Sequence, residues 1–140
     1  MIYIYHEKNL INKHAFKKRI GICWRSGHLN MERNTNYLVI EDLIPIFSSN
    51  NYDFINLQYG DCEEELLNVE KLCNINIIRW RDLDLKENID SVMALISRLD
   101  LVITVGTAVS SIAASIGKPV ILISKRGWDN LGTNHYPFFP

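Results

Sequence analysis

LDLVITVGTAVSSIAASIGKPV, residues 99–120, joins a short apolar strand to a helix and that helix to a second strand. The run Leu101–Val105 is almost continuously apolar and rich in β-branched residues, which is typical of a strand buried on both faces of a parallel sheet. Gly117 follows the helical stretch and Pro119 comes just beyond it, a combination that ends helices. The stretch therefore predicts one strand–helix–strand unit of a parallel sheet.

The same alternation of strand and helix extends over most of the chain. Apolar residues at helical spacing separate the strands, first within Ile40–Phe47, where Pro45 should kink the helix or delay its start. Alternating strands and helices predict an α/β fold, with a Rossmann-like parallel sheet of about five strands, helices on both faces and right-handed crossovers. The predicted strands are Arg19–Trp24, Asp53–Leu57, Ile75–Trp80, Leu101–Val105 and Pro119–Ser124.

Start signals and apolar stripes predict the remaining helices and the domain boundary. Asp61 followed by Glu64 has the spacing of a capping box at the start of a helix. An apolar stripe from Ile89 to Leu99 predicts the next helix. Residues 1–18 lack this organisation, so we expect a lead-in segment there and one α/β domain over residues 19–140.

Length and composition exclude several classes of function. The chain has 140 residues, of which 47% are apolar and 22% charged, and its formal net charge is −1. A charge so close to zero offers no bulk attraction to nucleic acid or to an anionic membrane. Three cysteines without CxxC spacing indicate neither a disulfide framework nor a zinc site. No apolar run is long enough to span a bilayer and no signal peptide opens the chain, so we expect a reduced, soluble, cytoplasmic domain.

The turn after Leu101–Val105 is the first candidate binding site. Ligands of such sheets bind beyond the carboxyl ends of the strands, near the point where the strand order reverses. Gly106 permits a close approach of the backbone, and Thr107 can cap the following helix. The first N–H groups of that helix, with the hydroxyls of Ser110 and Ser111, make an anion site suited to a phosphate or diphosphate. The alternative is that Thr107 is only a cap and that the small residues let the helix pack close to the sheet.

The segment after the first predicted strand offers cationic side chains. Arg25 and Arg33 could clamp phosphate oxygens bidentately, and Ser26-Gly27 could turn the chain toward a ligand. Solvated loop arginines are an equally good interpretation. The glycine-rich dinucleotide fingerprint and the Walker lysine motif are absent, which disfavours NAD enzymes and P-loop NTPases. No GxSxG motif accompanies His28, which disfavours a hydrolase.

Five segments in the same order carry a family resemblance. They are RIGICWRSG (19–27), RNTNYLVIEDLIPIF (33–47), FINLQYG (54–60), the opening stretch (99–120) and WDNLGTNHYPFFP (128–140). Together they resemble the C-terminal, nucleotide-sugar-binding lobe of GT-B glycosyltransferases. The likeness is closest to bacterial tetratricopeptide-repeat glycosyltransferases, with heptosyltransferases and protein O-GlcNAc transferases as more distant relatives.

The resemblance implies that the domain binds a nucleotide-diphosphate sugar. The residues it assigns border the donor pocket (Trp24, Arg25, Ser26), lie near the nucleotide (Gln58) or donate hydrogen bonds to the diphosphate (Thr107, Ala108, Val109). GT-B enzymes typically need no metal, so the resemblance implies no cofactor. A helix N-terminus and basic side chains stabilise the departing nucleoside diphosphate instead.

The chain departs from the family pattern at two positions. Gly106 stands where the family usually carries Asp, and Ser111 stands where it usually carries His. A catalytically lapsed lobe that serves as a protein-interaction or regulatory module is therefore an alternative, and a stand-alone flavodoxin-like phosphate binder is a third. The chain also contains no counterpart of the acceptor-binding lobe or of tetratricopeptide repeats. The resemblance thus implies a partner lobe or repeat domain in a larger protein, and little catalysis by these residues alone.

Overall fold

The computed structural model describes residues 2–5, 17–27 and 37–124, and within this part six strands form one sheet. The strands are β1 (Ile2–Tyr5), β2 (Lys18–Cys23), β3 (Tyr52–Asn56), β4 (Ile77–Ile78), β5 (Leu101–Val105) and β6 (Val120–Ile123). They lie side by side in the order β1-β6-β5-β2-β3-β4. Strands β2 to β6 are parallel to one another, and β1 pairs antiparallel with β6 at one edge. The predicted α/β fold with five parallel strands is confirmed.

Two strands differ from the sequence prediction. Ile2–Tyr5 lies within the expected lead-in segment, but it pairs with Val120–Ile123, so this part of the segment belongs to the sheet. The predicted strand Ile75–Trp80 is reduced to β4, which has two residues. The N–H of its first residue, Ile77, donates to Glu70 Oε1 at 2.6 Å.

Helices cover both faces of the sheet, as predicted. One face carries a 3₁₀ helix (Ile40–Leu43), α1 (Ile44–Phe47) and α2 (Glu63–Cys73), and the other carries α3 (Ile89–Ser97) and α4 (Ala108–Ser115). The side chains of β2 alternate between the two faces of the sheet, so this strand contributes to the hydrophobic core on each face. Ile22 belongs to the core under α2, and its neighbour Cys23 belongs to the core under α4.

The helix boundaries follow most of the sequence signals. Pro45 lies in the first turn of α1, directly after the 3₁₀ helix, which agrees with a delayed start. Gly117 follows α4 with a φ of +70°, the left-handed conformation of a helix C-terminus. The capping box predicted from Asp61 and Glu64 is wrong: Cys62 is the N-cap of α2, and no side chain caps that helix.

The strand order determines where a ligand can bind. When β2 to β6 are numbered 1 to 5 along the chain, their order across the sheet is 3-2-1-4-5. This is the order of dinucleotide-binding sheets, and it reverses between β2 and β5. A crevice opens at such a reversal, outside the carboxyl ends of the two strands, because the chain leaves them toward opposite faces. We call this region the switch-point crevice; it is bounded by residues 24–27 after β2 and residues 106–111 after β5.

Candidate functional site

The switch-point crevice brings together most of the residues predicted from the sequence. Cys23, the last residue of β2, links its two sides, since its Sγ lies 3.7 Å from Thr107 Oγ1 and 3.7 Å from the Arg25 carbonyl oxygen. The same sulfur lies 3.6 Å from Oε1 of Gln58, in the loop after β3. Arg33, by contrast, lies outside the described residues, as does the segment 128–140.

Main-chain groups at the start of α4 line one side of the crevice. Thr107 is the N-cap residue, in extended conformation, but its hydroxyl makes no capping bond and lies 3.4 Å from Thr104 Oγ1. Neither donor of Ser110 is available to a ligand, because its N–H and its hydroxyl both donate to the Thr107 carbonyl oxygen, at 3.1 and 2.6 Å. The N–H groups of Ala108 and Val109 have no acceptor among the described residues. They are the unpaired donors that every helix start leaves free.

The space in front of this helix is open. A Cβ built on Gly106 would have no atom within 4 Å, and the backbone of Gly106 does not take the left-handed conformation. The turn therefore does not require glycine, and a side chain or a ligand has room there. Ser111, one turn into α4, is exposed.

The side-chain amide of Gln58 is engaged in hydrogen bonds with main-chain groups of the loops after β2 and β3. It is buried, its Oε1 accepts the N–H groups of Trp24 and Arg25 at 3.1 and 3.0 Å, and its Nε2 donates to the Tyr59 carbonyl oxygen at 3.0 Å. These bonds fix the loop after β2 against the loop after β3. They occupy the amide group that the resemblance assigns to the neighbourhood of the nucleotide.

Arg25 is held by an acidic residue that the sequence did not single out. Its Nε lies 3.1 and 3.2 Å from the two carboxylate oxygens of Glu65, and its Nη2 also bonds Glu65. The guanidinium further donates to the carbonyl oxygens of Asp61 and Ser26, at 2.8 and 3.3 Å. Glu65 also accepts the indole N–H of Trp24 at 2.6 Å. Burial raises the pKa of Glu65, but the hydrogen bonds from Arg25 and Trp24 outweigh it and hold that pKa below its ordinary value.

Gly27 lets the two loops approach closely. A Cβ on Gly27 would lie 2.5 Å from Cε2 of the Tyr59 ring, so any larger residue would displace that ring. The Tyr59 hydroxyl lies 3.2 Å from Ser26 Oγ, and Gly60 follows with a φ of +82°. Residues 26–27 are thus packed against residues 59–60 beside the crevice, whereas Trp24 is completely buried in the core under α2.

A second concavity, which the sequence did not predict, lies beside residues 59–60. It is a cleft of about 300 Å³ at the carboxyl ends of β3 and β4, and its lining includes Tyr59, Trp80 and Lys86. Arg79, which also lines it, is paired with Glu70 at 2.8 Å and Glu63 at 3.1 Å. Half of the Trp80 surface is exposed, so an aromatic face is available to a ligand.

The described residues offer no metal site, and the two buried thiols near the crevice, those of Cys23 and Cys62, are not activated. No cluster of His, Cys, Asp or Glu side chains among them could hold a metal ion. Burial raises the pKa of Cys62 to about 11 and also raises the pKa of Cys23, so both thiols are protonated at neutral pH. The crevice therefore suits binding by hydrogen bonds and a helix dipole better than covalent chemistry at these cysteines.

The chain is similar to Protein FlbA of Caulobacter vibrioides (strain ATCC 19089 / CIP 103742 / CB 15). The two are 33% identical over 136 residues, which cover 96% of this chain and 23% of FlbA. The chain thus spans about a quarter of the length of this relative. No protein-family model and no solved structure matches the chain. None of the helices in residues 2–5, 17–27 and 37–124 has the length and apolar character needed to cross a membrane.

Proposed function

We propose that this chain is the donor-binding lobe of a GT-B glycosyltransferase and that it binds a nucleotide-diphosphate sugar in the switch-point crevice. The observation that carries the proposal is the position of α4. Its free N–H groups, on Ala108 and Val109, lie at the point where the strand order reverses. The five resembling segments, taken in order, support the choice of a nucleotide sugar among the phosphate ligands such a crevice can hold.

The chemistry of the crevice fits an electrostatic role. Two main-chain N–H groups and the positive end of the α4 dipole attract a diphosphate, and they retain it as negative charge develops on a departing nucleoside diphosphate. The open space before Gly106 leaves room for the phosphate groups or the sugar. The acceptor would come from a second lobe or a repeat domain of a larger, cytoplasmic protein, and we expect neither a metal nor a nucleic acid to take part.

Titration of this chain with UDP-, GDP- and ADP-sugars tests the proposal. We expect one of the three series to release or absorb heat and to raise the melting temperature, because a ligand that binds only the folded state stabilises it. Flat calorimetric traces and an unchanged melting temperature in all three series would contradict donor binding.

A catalytically lapsed lobe, acting as a protein-interaction or regulatory module, is the second candidate. Neither Gly106 nor Ser111 carries an ionisable group, and the guanidinium of Arg25 is paired with Glu65 rather than free. Restoring both family residues in the complete, two-lobed protein distinguishes the candidates. A Cβ at position 106 would have no atom within 4 Å, and Ser111 is exposed, so we expect Gly106→Asp/Ser111→His to fold. Sugar transfer that begins only in this variant supports the lapsed lobe, and transfer by the native residues contradicts it.

A further inference from the structure

Arg25 borders the switch-point crevice, but its positive charge is engaged inside the protein. Its side chain is 11% exposed. An arginine has five N–H donors, and four of those of Arg25 bond Glu65, Ser26 and Asp61. Glu65 meets the guanidinium with both of its carboxylate oxygens, which is the planar, two-pronged geometry that arginine also offers to phosphate. The carboxylate therefore occupies the donors that a phosphate would use.

The anion site at the start of α4 is close to the main chain of Arg25. The Arg25 carbonyl oxygen and the Thr107 hydroxyl both lie 3.7 Å from Cys23 Sγ, so the main chain of Arg25 and the N-cap of α4 flank a single atom. A guanidinium released from Glu65 has a long, flexible stem with which to reach a phosphate held by the N–H groups of Ala108 and Val109.

We propose that Glu65 sets the affinity of the crevice for anions, because its carboxylate holds Arg25 away from the ligand. Glu65 is thus an affinity-determining residue that need not touch the ligand. The inference rests on the proposed function in one respect, namely that the natural ligand carries a diphosphate. It also connects the two candidate functions, since a lobe whose arginine is internally neutralised binds its donor weakly.

The loop does not depend on Glu65 alone for its path. The main-chain N–H groups of Trp24 and Arg25 bond Gln58, in the loop after β3, and remain bonded when Glu65 changes. A glutamine at position 65 keeps an oxygen that can accept the Trp24 indole N–H, but it loses the charge that holds the guanidinium. Glu65→Gln is therefore expected to fold and to leave the guanidinium of Arg25 held only by neutral acceptors, such as the carbonyl oxygens of Asp61 and Ser26, so that a phosphate can compete for it.

Calorimetric titration with pyrophosphate and with UDP, GDP and ADP measures the effect. We expect Glu65→Gln to bind at least one of these probes about fivefold or more tightly than the wild type at about 0.05 M salt, since a charge-assisted hydrogen bond is gained. The gain should shrink at about 0.5 M salt, which screens exposed charges. If Glu65→Gln does not show cooperative unfolding, and is therefore not properly folded, Glu65→Ser takes its place. It also removes the carboxylate that holds Arg25, and we expect it to tighten anion binding to the same extent.

Two control variants tie the effect to Arg25. Glu64→Gln removes the same charge one residue earlier, from an exposed side chain in the same helical turn, and should leave the affinity within about twofold. Arg25→Met/Glu65→Gln removes the freed cation and should return the affinity to that of the wild type. Tightening that persists in this double variant overturns the inference, since Arg25 would not be its source.

The remaining outcomes separate the inference from the proposed function. If the wild type binds and Glu65→Gln binds no more tightly, the inference fails and the proposed function stands. If only Glu65→Gln binds, the inference holds and donor binding by the native lobe fails. If neither binds any probe, both fail, because a freed arginine beside the start of α4 would not recruit a phosphate.

Discussion

The Ala108→Pro variant is expected to bind nucleoside diphosphates about tenfold or more weakly than the wild type while keeping its melting temperature. Proline at the first position of a helix removes an N–H that makes no bond within the helix, so the fold loses no hydrogen bond. The preceding residue must be extended, and Thr107 already is, with φ −132° and ψ 176°. The ligand, in contrast, loses one charge-assisted hydrogen bond, which accounts for the loss in affinity.

Ala108→Val is the matched control for this substitution. It adds a side chain of comparable bulk at the same position but keeps the main-chain N–H. We expect its affinity to stay within about threefold of the wild type. Calorimetric titration compares the nucleotide affinities of the three proteins, and thermal unfolding compares their melting temperatures. Equal loss in both variants would indicate steric exclusion rather than a lost donor, and full affinity in Ala108→Pro would remove α4 from the binding site.

The Gln58→Met variant is expected to destabilise the fold by about 3 kcal/mol, because two buried main-chain N–H groups lose their acceptor at roughly 1–3 kcal/mol each. These are the N–H groups of Trp24 and Arg25. Methionine has nearly the volume of glutamine, so no large cavity opens. Urea unfolding measures the change in the free energy of unfolding.

Asn68→Met provides the comparison, since it also replaces an amide by a thioether, but at an exposed position on α2. We expect it to change the free energy of unfolding by no more than about 0.5 kcal/mol. The two variants together separate a structural role of Gln58 from the role near the nucleotide that the resemblance assigns. A stable Gln58→Met protein with weakened nucleotide binding would favour contact with the nucleotide over the structural role.

The layer structure could be predicted because it depends on local patterns. Continuous apolar runs marked β2, β3, β5 and β6 to within one or two residues, and Gly117 marked the end of α4. The edges of the sheet were harder to predict. Strand β4 has only two residues, and the N–H of the first, Ile77, bonds Glu70 on the preceding helix, a tertiary contact that local patterns do not show. Strand β1 is a four-residue edge strand that precedes the regular alternation.

The crevice could be located from the sequence, but the state of its side chains could not. The turn at Gly106-Thr107 is a local signal, and the structure puts it beside Arg25, as expected for neighbouring strands. Which carboxylate pairs with Arg25 depends on tertiary packing. Glu65 stands in a run of three glutamates, and nothing in the sequence distinguishes it from Glu64. The same holds for Gln58, whose partners Trp24 and Arg25 lie in the loop after β2, more than thirty residues earlier.

The chemical shifts of backbone amides test the central claim most directly, because each amide reports on its own surroundings. We would record them for the isotopically labelled chain during titration with UDP, GDP and ADP. Our account predicts that the largest changes fall on Ala108 and Val109, at the start of α4, with smaller changes in residues 24–27. Changes confined to the cleft lined by Tyr59 and Trp80, or none with any of the three nucleotides, would contradict it.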